Sequence, residues 1–288
     1  MSRGLDRPFR GNPGRLFFAC PSVALCAPPR GPAWERRRLS TENSGGNVAG
    51  ETGAEIDAPR REPAFNLPGI VVAIIAACVA VHLVSFHLLD LAAYLRLLEN
   101  FAFIPARYSG AYPFDWTWVV SPLSYSLMHG GYAHLIVNMI WLAAFGSPLA
   151  NRIGTGRFLL FWALTSLGAV ALHYVLHAFA AVPLVGASGA ISGMMGAAAR
   201  FAFRIDRRRK KPAFAGPVLS VPQVLSSRPA VTFLVVWFAI NLVTGLGFGT
   251  SGMSAQIAWE AHIGGFLVGF LAVRLFDRPL PPEPALSA

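Results

Sequence analysis

The chain has 288 residues, 54% of them hydrophobic and only 13% charged, with a mean hydropathy of +0.50. That composition excludes an ordinary soluble domain, and the long charge-free apolar runs after Leu67 exclude a collagenous or intrinsically disordered chain there. The formal charge of +10 does not point to nucleic acid, because the basic residues stand in clusters between apolar runs, a placement suited to anionic lipid.

Residues 1–68 hold ten Arg against seven acids, are rich in Pro, Gly and Ser, and show no sustained period; they are expected to form a disordered basic cytoplasmic tail. The apolar stretch from Leu16 to Leu25 is broken by Pro21 and is too short to span. A transit peptide is the lesser alternative, weakened by Asp6 and Glu35. Cys20, Cys26 and Cys78 form no even disulfide framework.

Six apolar segments follow, at about 69–89, 132–149, 158–181, 188–203, 230–248 and 257–275. The expected fold is an all-α polytopic membrane protein, a six-helix transmembrane bundle over 69–276 followed by a short Pro-rich cytoplasmic tail over 277–288. The fourth segment is short and opens at a Gly-Ala-Ser-Gly turn, so its helix is expected to begin below the membrane surface, inside protein or water. Of the fourteen basic residues after position 68, twelve fall on one side of such a bundle, which places both termini in the cytoplasm. The loop from Asp90 to Met128 carries Tyr94, Phe101, Phe103, Tyr108, Tyr112, Phe114, Trp116 and Trp118 and reads equally as a partly immersed wedge or as an aromatic anchor at the interface.

All seven histidines lie in or beside apolar segments, where an ionisable group is costly, whereas carboxylates are nearly absent there. Acid-pair hydrolysis therefore lacks its parts. Nucleophilic catalysis needs a hydroxyl beside a base, with donors aimed at the developing oxyanion. Ser188 in Gly186-Ala187-Ser188-Gly189 stands at a helix start, where free N–H groups and the positive dipole end would favour that chemistry; a simple helix cap remains the commoner role for such a serine.

His262 lies beside the small-residue stripe Ala261, Gly265, Gly269, which matches Gly189, Gly193, Ala197 in the fourth segment. The two helices are expected to press together and bring His262 to Ser188. Glu260, two positions earlier, points away from His262, so a dyad fits better than a triad. His134 and Asn138 are one turn apart, and their N–H groups are placed either to stabilise an oxyanion or to join helices. His173 and His177 share a face and read as structural or water-facing groups.

Taken together, His129-Gly-Gly-x-x-His134-x-x-x-Asn138, Gly186-x-Ser188-Gly189 and Ala261-His262-x-x-Gly265 resemble the motifs of the rhomboid family of intramembrane serine proteases. The resemblance covers about Pro68 to Phe276. It implies that Ser188 is the nucleophile and His262 the general base. The Ser188 backbone N–H with His134 and Asn138 would form the oxyanion site, and His129 and Gly186 would have supporting roles. It implies no cofactor and no metal. The expected partners are transmembrane protein substrates and membrane lipid rather than nucleic acid, and the expected location is a bacterial inner membrane.

Two departures from the family pattern stand out: Ser192 occupies the place where many bacterial members carry Tyr beneath the catalytic imidazole, and Val120-Ser121 occupies that of a first-loop Trp-Arg pair. A transporter or channel, and a noncatalytic membrane-protein binder, are the alternative readings.

Overall fold

The computed structural model describes residues 67–110, 112–246 and 258–278. Of the expected N-terminal tail only Leu67 and Pro68 are among them, and of the C-terminal tail only Asp277 and Arg278. The protein is an integral membrane protein with an all-helical bundle of the expected kind.

Helix α1 (Gly69–His87) is apolar on nearly every face but buries one stripe, Val71, Ile74, Cys78, His82 and Ser85, at the spacing of one helix face. The rest faces outward, as lipid contact requires. Asp90 then caps α2 (Leu91–Phe101), its Oδ1 accepting the Ala93 N–H at 2.8 Å. A 3-10 turn over Pro105–Tyr108, α3 (Thr117–Ser124) and a second 3-10 turn over Tyr125–Leu127 complete a folded first loop.

The second span is built from α4 (Tyr132–Trp141) and α5 (Ser147–Ile153), joined through a π turn at Leu142–Gly146. Gly154, at φ +80°, turns the chain directly into α6 (Thr155–His177). Next comes α7 (Ser188–Arg200), whose thirteen residues rise only about 20 Å at 1.5 Å each and so cannot cross about 30 Å of hydrocarbon. Every residue from Gly189 to Arg200 is buried, so α7 is the axis of the bundle. After the short α8 (Val221–Leu225) come α9 (Arg228–Gly245) and α10 (Trp259–Phe276). Among the described residues five helical segments are long and apolar enough to cross a membrane; α7 is the sixth member of the bundle without being such a span.

Close packing at the axis depends on glycine. A methyl on Gly265 of α10 would lie 2.0 Å from the Gly189 carbonyl oxygen of α7, and one on Gly269 would lie 2.1 Å from that of Gly193. Thus the two small-residue stripes meet, and the backbones touch as no pair of larger residues would allow. On the other side of α10, a methyl on Gly264 would be 2.4 Å from the Gly168 carbonyl oxygen of α6.

One element departs from the all-helical expectation. The basic segment after α7 folds into a minimal antiparallel pair, β1 (Ile205–Asp206) with β2 (Ala213–Phe214), in the register Ile205↔Phe214. Phe214 stacks on Phe201 with centroids 5.2 Å apart, and the Phe214 carbonyl accepts a bond from Arg152. Arg152 is buried, pairs with both carboxylate oxygens of Asp277 at 2.6 and 3.1 Å, and also reaches the Gly216 carbonyl. Arg152 therefore ties α5, the β pair and the residue after α10 together.

Candidate active site

The turn before α7 is held by the first loop. The backbones of Phe103 and Leu184 exchange hydrogen bonds of 3.1 and 2.8 Å, and the Gly186 N–H donates to the Tyr125 carbonyl at 3.0 Å. Tyr125, fully buried, donates its hydroxyl to the Ser166 carbonyl on α6. The segment read from sequence as a wedge or anchor is thus a scaffold for Gly186 and Ser188.

Ser188 is the first helical residue of α7, and Ala187 occupies the cap position without a side-chain cap bond. Capping therefore does not occupy the serine hydroxyl. Its Oγ lies 2.8 Å from His262 Nε2 on α10. The first N–H groups of α7 have no intrahelical partner by the geometry of a helix start, and they sit beside this hydroxyl.

His262 has a second partner that sequence reasoning missed. Its Nδ1 lies 2.8 Å from Asn241 Oδ1 on α9, and Asn241 Nδ2 donates to the Trp237 carbonyl at 2.8 Å. Because the amide nitrogen is engaged by a carbonyl, its oxygen must face the imidazole. Nδ1 is then the protonated nitrogen of the neutral ring, leaving Nε2 as the acceptor for the Ser188 hydroxyl. The available signal was a lone amide in an otherwise apolar helix. Ser192 is buried within α7; the group that bonds the far side of the imidazole is Asn241.

Gly186 has φ +127°, which an L side chain rarely adopts. A methyl there would fall 2.8 Å from His134 Cε1 and Nε2 and 3.6 Å from Ser188 Oγ. The His134 ring edge and the Ser188 hydroxyl therefore flank one point, and glycine is what leaves room for both. Asn138, one turn further along α4, is buried, and its Nδ2 has no hydrogen-bond partner among the described residues. His129 packs edge-on against His134 at 5.2 Å, and its carbonyl accepts from His82 Nδ1 at 3.2 Å. Burial holds the His129 imidazole well below the usual histidine range, so it is neutral.

Glu260 faces away from His262, as its position on α10 requires, and is buried where it meets His173 and His177.

The Rhomboid domain family model matches residues 116–278. The chain is 29% identical over 165 residues to "Rhomboid protease GluP" of Bacillus subtilis (strain 168), covering 57% of this chain and 27% of that protein. To "Rhomboid protease GlpG" of Enterobacter sp. (strain 638) it is 28% identical over 154 residues, covering 54% and 47%. To "Rhomboid protease GlpG" of Yersinia pestis (strain Pestoides F) it is 25% identical over 202 residues, covering 70% and 60%. The matched part thus spans less than two thirds of each of these relatives. With a family match over more than half its length, on a helical bundle whose polar groups gather at the start of α7, this chain belongs to the rhomboid family.

Proposed function

We propose that this protein is a serine-type endopeptidase that cleaves transmembrane proteins in or near their membrane segment, with Ser188 as nucleophile and His262 as general base. The observation that carries the reading is the relay of two 2.8 Å contacts, Ser188 Oγ to His262 Nε2 and His262 Nδ1 to Asn241 Oδ1. His262 takes the hydroxyl proton as Ser188 attacks a peptide carbonyl, then protonates the leaving amine; water hydrolyses the acyl-enzyme by the same route. Asn241 orients the imidazole and holds its tautomer. The Ser188 backbone N–H, the His134 ring and the Asn138 amide are the oxyanion donors, with Gly186 and His129 in support.

Lateral access for the substrate helix falls to α9, most of whose surface is not covered by protein. The end carrying Arg152, Arg157 and Arg200 is the cytoplasmic one, which puts residues 1–68 and 277–288 in the cytoplasm as tails of a protease domain over 69–276, in a bacterial inner membrane.

The test compares wild type, Ser188→Ala and His262→Ala on single-span substrates in proteoliposomes. Each substitution is expected to lower cleavage by a factor of about a thousand or more. Undiminished cleavage by purified Ser188→Ala would overturn the nucleophile. Labelling by a serine-directed fluorophosphonate, lost in both variants, separates a protease from a noncatalytic binder.

A further inference from the structure

We propose that His173, His177 and Glu260 form a binding site for one divalent transition-metal cation of the zinc type, at the end of the bundle where α6 finishes and α10 begins. None of the three belongs to the relay described above, and the proposal does not depend on proteolysis.

His173 and His177 are one turn apart at the end of α6, so both imidazoles lie on the same face, with centroids 5.1 Å apart. Glu260 is in the first turn of α10 and reaches across to them. Its Oε1 lies 2.8 Å from His173 Nδ1 and 3.0 Å from His177 Nε2. The donor atoms of all three residues fall within 4.8 Å of one another. A tetrahedral zinc ion, with bonds of about 2.0–2.2 Å to imidazole nitrogen and carboxylate oxygen, separates its ligand atoms by about 3.3–3.5 Å. Small side-chain rotations reach that arrangement.

The convergence of two imidazoles on one carboxylate oxygen separates this cluster from an ordinary ion pair, which needs only one of them. Two histidines and a glutamate form a donor set suited to zinc, with the fourth position left for water. Burial differs usefully among the three: Glu260 and His173 are enclosed, whereas the His177 side chain is 47% exposed and offers a path for the ion. Bound there, the cation would clamp α6 to α10 beyond the close Gly168–Gly264 contact.

The experiment uses the full chain, purified in detergent, stripped with chelator and titrated with Co2+ while visible ligand-field absorption is recorded; Zn2+ is then added and thermal unfolding followed. Wild type is expected to bind one more Co2+ than His177→Ala, with the bands of a four-coordinate ion, and to be stabilised by Zn2+ where that variant is not. Glu260→Gln should behave like His177→Ala, and His177→Cys should restore binding, because a thiolate ligates zinc whereas a merely structural contact to the carboxylate would not be rebuilt. Because the His177 side chain is about half exposed, its replacement is expected to leave the fold intact. Identical titrations for wild type and His177→Ala, including no binding by either, would overturn the proposal. So would failure of His177→Cys to recover any binding.

Discussion

Helices α7 and α9 both contribute to the candidate active site, yet they are packed in opposite ways. All of α7 beyond Ser188 is buried, with glycines in backbone contact with α10, whereas α9 buries only Ala230, Trp237 and Asn241 and presents Val235, Val236 and Ile240 outward. The proposed nucleophile thus stands on the most fully buried helix, and the group proposed to orient its base stands on the least buried of the membrane-spanning helices. In such an arrangement the Ser188–His262 distance is set by a rigid seam, while the orientation of the imidazole depends on whether α9 is docked. Movement of α9 to admit a substrate helix would loosen the Asn241 contact first, so the proposed access route and the readiness of the base are linked through one hydrogen bond.

The comparison breaks most sharply at the seam. Gly265→Val places branched carbon against the Gly189 carbonyl, which a methyl alone already approaches to 2.0 Å. Overpacking of this kind is expected to destabilise by about 3 kcal/mol or more and to separate Ser188 from His262; a lowered unfolding midpoint together with lost cleavage checks it. On α9, Asn241→Ala should lower the unfolding midpoint less than Gly265→Val does while slowing turnover. An imidazole N–H without its acceptor costs about 1–3 kcal/mol, and a barrier raised by that amount lowers kcat by about five- to 150-fold. A much smaller loss would mean that Asn241 does not orient the base.

Ser192→Ala sharpens the contrast from within α7. If Asn241 has replaced the missing tyrosine as the support of His262, cleavage should change by less than about threefold, corresponding to about 0.5 kcal/mol. Smallest of all should be Val236→Ala on the outward face of α9, with stability and turnover both within about 0.5 kcal/mol of wild type. A large effect there would show that this face is occupied.

Much of the bundle was legible from local patterns. The six apolar segments lie within a few residues of α1, the α4–α5 pair, α6, α7, α9 and α10, and the short fourth one is the helix that starts inside the protein. Gly189 and Gly193 opposite Gly265 and Gly269 were legible because a helix repeats every 3.6 residues and close approach requires small side chains. The scaffold role of the first loop was not, since the Phe103–Leu184 pairing joins positions 81 residues apart through backbone groups that every residue carries. Asn241 was hidden for a different reason: nothing in the span around it specifies which way its amide points.

By itself, then, the sequence determined that the chain crosses a membrane and which serine and histidine are available, because hydropathy, helix period and motif spacing are properties of neighbouring residues. Only the tertiary structure decided that His262 leans on Asn241 and that Glu260 turns to His173 and His177. Those contacts join helices far apart in the chain, and their partners are selected by how the helices rotate against one another when glycine lets their backbones touch.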